Sequence, residues 1–110
     1  MVQTIDTAEL ADLIGRGPVD LVDVRDQSEF EAGHLLGARN IPLETLREDP
    51  DKYLAHGKAL VLICKKGVRS LAAAKLAERF GYEPVYNLDG GMLEWIRVGF
   101  PTATESRVAA

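Results

Sequence analysis

Residues 59–81 read ALVLICKKGVRSLAAAKLAERFG, and the fold turns on how this stretch is read. Ala59 to Cys64 forms an apolar run of six residues. A run that short, with no polar interruption, is a strand covered on both faces, as in a parallel sheet packed between helices. From Arg69 onward the residues are strong helix formers. Ala73, Leu76, Ala77 and Phe80 recur on one side, and Gly81 is the stop. Between strand and helix lies a short loop with two lysines, a glycine and an arginine.

The pattern repeats outward from this segment. Asp20 to Val24 (DLVDV) is a second short apolar strand, and PVYNLDGG supplies a third strand and a turn. Helices are predicted at three further places. TIDTAELADLIGRG opens with Asp6 and Glu9 in capping-box spacing and an Ile5–Leu10 staple, and Leu10, Leu13 and Ile14 share one face. DQSEFEAG repeats the box with Asp26 and Glu29 and stops at Gly33. GMLEWIRVGFP turns Met92, Trp95 and Ile96 inward. The ARNIP segment is extended, because the residue before Pro42 is pushed away from helix. Pro50 suits the first position of a helical turn. Strands alternating with helices predict a small α/β domain whose mostly parallel sheet carries helices on both faces. In such sheets the functional crevice lies beyond the carboxyl ends of the strands, which is where Cys64 falls.

Composition narrows the function. The chain has 110 residues, 46% hydrophobic and 27% charged, which suits one soluble globular domain. Its formal charge of −4 argues against non-specific nucleic-acid binding. No apolar run approaches the ~20 residues that span a bilayer, so no membrane association is expected. The first residues, MVQTIDTAEL, lack a basic segment followed by an apolar one, so no secretory leader is expected and a reducing cytoplasm is the default compartment. A monomer is expected. One cysteine makes no internal disulfide, and with two scattered histidines it makes no zinc site.

Cys64 is either a small core residue ending a strand or a nucleophile. A free cysteine, with a pKa near ~8.5, is only about 3% thiolate at pH 7. Its surroundings here favour the anion. The following helix offers unpaired N–H donors and the positive end of its dipole. Gly67 permits a tight turn, Ser70 supplies a hydroxyl or a cap, and Lys65, Lys66 and Arg69 place three cations within six residues.

Three ordered blocks, LVDVRDQSEFEAGHLLGARNIPL (21–43), VLICKKGVRSLAAAKLAERFGY (61–82) and VYNLDGGMLEWIRVGFP (85–101), resemble a rhodanese (sulfurtransferase) domain over residues 3–101. Residues 102–110 are expected to be a flexible tail. The resemblance implies a rhodanese-like fold with a five-stranded parallel sheet. It implies Cys64 as the carrier of sulfane sulfur as a persulfide, cupped by backbone N–H groups of Lys65, Lys66, Gly67, Val68, Arg69 and Ser70. An anionic donor, thiosulfate-like or a persulfide, would supply the sulfur. An external acceptor (cyanide, a thiol or a partner protein) would remove it, with no metal or organic cofactor. The alternatives are a carrier or regulatory module of the same fold, or a cysteine-based phosphatase or arsenate reductase. The six-residue span from Cys64 to Arg69 is like the sulfurtransferase loop, whereas the related phosphatases and reductases carry one more residue.

Two departures stand out. Leu36 replaces a more usual proline, and Glu29 stands where thiosulfate-using two-domain members carry an arginine. A carboxylate there would repel a dianion, while Lys66 matches a loop lysine typical of thiosulfate users. Asp23 and Arg25 either line the crevice or serve structure, with Asp23 capping backbone donors and Arg25 pairing with a carboxylate such as Glu29. His34, just past a helix end, is expected to bond its last carbonyls. The Asp89–Gly91 segment reads as a turn and helix cap, not a phosphate loop. Met92, Trp95 and Phe80 are assigned to the core.

Overall fold

The apolar run at Ala59–Ile63 lies at the centre of a sheet and alternates between its two faces, as a strand's period of two requires. Leu60 and Leu62 join Ala73, Ala74, Ala77, Leu46 and Tyr82 on one side. Val61 and Ile63 join Leu10, Leu88, Met92 and Trp95 on the other. All four of these strand residues are 2% exposed or less, which explains why the run shows no polar alternation.

The computed structural model describes residues 1–104. In chain order the elements are β1 (Val2–Ile5), α1 (Thr7–Arg16), β2 (Val19–Asp23), α2 (Gln27–Ala32), β3 (His34–Leu35), β4 (Arg39–Asn40), α3 (Leu43–Glu48), α4 (Pro50–Tyr53), β5 (Ala59–Ile63), α5 (Val68–Arg79), β6 (Val85–Leu88), α6 (Gly91–Arg97) and β7 (Thr102–Ala103). Five strands form a parallel sheet in the order β1-β6-β5-β2-β4. The buried alanines of α5 let that helix sit close on one face, and α1 and α6 cover the other. This is the predicted three-layer α/β architecture. No helix among the described residues is long and apolar enough to cross a membrane.

Local signals hold where they are strongest. Asp6 accepts the Glu9 N–H and Glu9 accepts the Asp6 N–H, both at 2.8 Å, so the α1 capping box is complete. Pro50 opens α4 as its first residue. The core assignments need three corrections. Phe80 is 46% exposed because α5 ends at Arg79, and Tyr82, two residues on, takes the buried place at 4%. Ile96 is 56% exposed because the two turns of α6 bury a single stripe, occupied by Met92 and Trp95. Ile14 is likewise on the rim at 37%.

The ends of the domain also differ from expectation. Val2–Ile5 is an edge strand, which its weakly apolar sequence does not announce. Thr102 and Ala103 are not tail but a short strand, pairing antiparallel with Leu35 and His34 in β3. Trp95 draws the chain back there by donating its indole N–H to the Pro101 carbonyl at 2.9 Å. Residues 105–110, the rest of the expected tail, lie outside the described residues.

Two glycines separate backbone necessity from simple tolerance. Gly91 has a left-handed φ of 55°, and a Cβ there would overlap the Cys64 carbonyl oxygen and lie 2.5 Å from that of Lys65. Gly15, inside α1, has open space around it. Gly91→Ala is expected to cost about 3 kcal/mol or more. Gly15→Ala should stabilise by about 0.5–1 kcal/mol. Urea denaturation of the two variants beside the parent chain checks both signs.

Candidate functional site

β5 delivers Cys64 to the carboxyl edge of the sheet, between the ends of β2 and β6, where the chain turns into α5. The loop closes around its sulfur. Gly67 N–H donates to Cys64 Sγ at 3.1 Å and Ser70 N–H at 3.3 Å, with Ser70 Oγ 3.2 Å away. Cys64 is 1% exposed, at the floor of a cleft of about 140 Å³ lined by Lys65, Lys66, Val68 and Arg69.

Hydrogen bonds on the outside of the loop fix several of its peptide planes. Met92 N–H donates to the Cys64 carbonyl at 2.9 Å and Leu93 N–H to that of Lys65 at 3.0 Å. Asn87 Nδ2 donates to the Gly67 carbonyl at 3.1 Å. In a trans peptide the N–H points opposite to its C=O, so these bonds set the planes that carry the Lys65, Lys66 and Val68 N–H groups, of which the Lys66 amide hydrogen-bonds the sulfur. Gly67 is needed for the turn, with φ at 104° and the Leu88 carbonyl oxygen 3.3 Å from where a Cβ would sit. The Met92 and Leu93 donors come from the start of α6, where Gly90 and Gly91 both take positive φ, so Asp89–Gly91 is indeed a turn and cap.

Burial of the sulfur pushes the Cys64 pKa up. Hydrogen bonds from the Ser70 hydroxyl and from the Ser70, Gly67 and Lys66 amides outweigh that, and the thiol lies below its ordinary value. The shift is in the direction expected for an activated cysteine, and its largest lowering causes are neutral donors rather than the loop cations. Lys65 and Lys66 are exposed on the rim. Arg69 is held by Glu29 in a two-pronged pair at 2.9 and 3.2 Å.

Glu29 does more than cap a helix. Its Oε1 accepts the Asp26 N–H at 3.0 Å while both oxygens bind Arg69, joining α2 to the loop. The Arg69 guanidinium holds the Glu29 carboxyl down at about 2. Asp23 and Arg25 take the structural role. Asp23 accepts the Arg25 backbone N–H at 3.0 Å and the guanidinium at 2.8–3.2 Å, and Arg25 also donates to the Gly33 carbonyl at 2.8 Å. Arg25 therefore pairs with Asp23 rather than Glu29, and ties the end of β2 to the end of α2. His34 meets the Phe30 carbonyl oxygen at 2.7 Å, as a helix-end histidine should, and stacks on Phe30. His56 stacks on Tyr82. Among the described residues no cluster of three or more His, Cys, Asp or Glu side chains is placed to hold a metal.

The residue that sequence reading passed over is Asn87, taken only as part of a strand. The signal was there: asparagine is disfavoured in strands, and this one interrupts the apolar VYNL segment.

The sequence pattern of the rhodanese-like domain matches residues 6–97. The chain belongs to the rhodanese-like domain family. It is 35% identical over 100 residues to the thiosulfate sulfurtransferase GlpE of Tolumonas auensis, covering 91% of this chain and 93% of that one. It is 42% identical over 81 residues to the uncharacterized protein YqhL of Bacillus subtilis, covering 74% of this chain and 64% of the relative. The crystal structure of a rhodanese-related protein from Thermoplasma volcanium superposes with a TM-score of 0.85 at 32% identity, over 94% of this chain and 99% of that one. Several curated relatives are longer, the chain spanning 64%, 55% and 31% of three of them. The rhodanese-like fold is thus shared along nearly all of the domain.

The Glu29–Arg69 pair makes a pH prediction. Because the folded-state pKa of Glu29 is depressed from 4.5 to about 2, its contribution is present above about pH 4.5 and is lost as pH falls toward 2. The two side chains are 31% and 37% exposed, so solvent screening limits the effect to about 1 kcal/mol. Glu29→Gln should be less stable than the parent chain by about that much at pH 7 and equal to it near pH 2, as read from urea denaturation across that range.

Proposed function

We propose that this rhodanese-like domain is a sulfurtransferase that carries sulfane sulfur as a Cys64 persulfide. The observation that carries this reading is the closed loop itself, with amide donors from Gly67 and Ser70 converging on a buried sulfur and a small cleft above it. In the first half-reaction the Cys64 thiolate attacks the outer sulfur of an anionic donor. A new S–S bond forms and the donor's S–S bond breaks, its electron pair leaving on sulfite from thiosulfate or on the thiolate of a persulfide. In the second, a nucleophilic acceptor attacks the outer sulfur and the electron pair returns to Cys64. Inward amides of the loop stabilise the negative charge on the outer sulfur. The acceptor comes from outside this chain, whose single cysteine cannot resolve its own persulfide.

Rim charge bears on the donor. Lys65 and Lys66 attract an anion, whereas Arg69 is already neutralised by Glu29. That arrangement favours a singly charged persulfide over the thiosulfate dianion. A phosphatase or arsenate reductase reading has less support, since the six-residue loop suits one sulfur atom better than a tetrahedral oxyanion.

Intact mass after incubation with thiosulfate and with a small-molecule persulfide tests the proposal. The expected result is a gain of one sulfur that cyanide or dithiothreitol removes and that Cys64→Ser lacks. No adduct with either donor would overturn it. Glu29→Gln is expected to raise kcat/KM for thiosulfate by about threefold to tenfold, through loss of one negative charge near the incoming anion. Cyanide-coupled turnover measures it.

A further inference from the structure

Asn87 sits within β6 at 6% exposure, and its side chain serves the cup from both ends. Nδ2 donates to the Gly67 carbonyl at 3.1 Å, and Oδ1 accepts the Ser70 hydroxyl at 2.5 Å. The first bond fixes the second: with the amide nitrogen turned to a carbonyl, the remaining atom is an acceptor and Ser70 must donate to it. A hydroxyl has one proton. While that proton points at Asn87, Ser70 Oγ meets Cys64 Sγ, 3.2 Å away, only as an acceptor of the thiol S–H. Once the thiol ionises, a lone pair of Ser70 faces an anion unless the hydroxyl turns from Asn87 to the sulfur.

We propose that Asn87 is a positioning residue that competes with Cys64 for the Ser70 hydroxyl proton, and so limits how firmly the resting sulfur is held as an anion. Ionisation then passes one proton from Sγ to water and exchanges an O–H···Oδ1 bond for an O–H···S⁻ bond. The S–H···Oγ contact of the resting thiol is lost with that proton, and no covalent bond other than S–H breaks. The competition has a chemical use, since a thiolate stabilised too strongly is a weaker nucleophile and the best attacking thiol has its pKa near ambient pH. The inference rests on Cys64 being the nucleophile of the proposed function. Its test reads ionisation of the thiol without any sulfur donor, so failure of sulfur transfer and failure of this inference are separate results.

The charged groups on the loop and on the ends of the elements beside it are Lys65 and Lys66, Arg69 on α5, Glu29 and Asp26 at the start of α2, the Asp23–Arg25 pair at the end of β2, and Asp89 after β6. Substitutions at Ser70 and Asn87 leave all of them in place, and a double-mutant comparison cancels their common effect.

The experiment is the pH dependence of Cys64 alkylation by iodoacetamide in the full chain, for the parent, Asn87→Ala, Ser70→Ala and the double variant, each checked for folding by thermal unfolding. Asn87→Ala frees the hydroxyl for the sulfur. Its alkylation midpoint should move to lower pH, with about threefold faster alkylation below that midpoint. Ser70→Ala should move the midpoint upward, and in that background Asn87→Ala should give no acceleration. Asn87→Asp, which holds the Ser70 proton harder, should move the midpoint upward by more in the parent than in the Ser70→Ala background. This arm decides the matter if Asn87→Ala does not fold. Shifts of one sign for both Asn87 variants, or equal shifts with and without the Ser70 hydroxyl, would mean that Asn87 merely braces the loop and would overturn the proposal.

Discussion

The structure depends on which way a few peptide planes face. Carbonyls of Cys64, Lys65 and Gly67 are held on the outside of the loop by amide donors from Met92, Leu93 and Asn87. Each such bond sets the plane of the peptide that follows, so the Lys66 N–H is turned toward the sulfur, where the Gly67 and Ser70 N–H groups also converge. A buried loop with free backbone polar groups would be costly, and this pairing satisfies the carbonyls and shapes the site with the same bonds. Among the described residues no buried side-chain nitrogen or oxygen lacks a partner.

The same bonds explain why the sheet order matters for the site. The donors lie on β6 and α6, and β6 is the immediate neighbour of β5. Only a parallel arrangement brings the carboxyl ends of both strands to one edge, so that the turn after β6 can reach the loop after β5. Gly91 marks how closely they meet, since no side-chain atom fits between it and the loop backbone. Core packing by Met92 and Trp95 then fixes α6 against the sheet, and through it the cup.

Charge plays a different part from the one its density in the loop suggests. The sulfur is stabilised by short-range neutral donors, while the three cations stand at the rim and one of them is committed to Glu29. Amide dipoles fixed by the fold act at about 3 Å and require no reorganisation, whereas exposed lysines are screened by water. The rim charges are therefore better suited to drawing an anion in, and the amides to holding what arrives.

Much of this was legible in the residues alone. An uninterrupted apolar run at Ala59–Cys64, helix formers after Arg69 and the capping box at Asp6 specify strands and helices through periodicity and local hydrogen bonding, which need no distant partner. The three-layer α/β class and the placement of Cys64 at a strand's end follow from them. What tertiary structure decided are the pairings between residues far apart in the chain: Glu29 with Arg69, Ser70 with Asn87, Met92 with the Cys64 carbonyl, and the short strand of Thr102 and Ala103 against His34 and Leu35. The exposure of Phe80 and Ile96 belongs with these, because helical spacing names a face but not where the neighbouring layer ends. Periodicity is a local property, and a hydrogen bond across the sheet is not. The chain alone shows that a cysteine meets a helix start, and the fold decides which donors reach its sulfur.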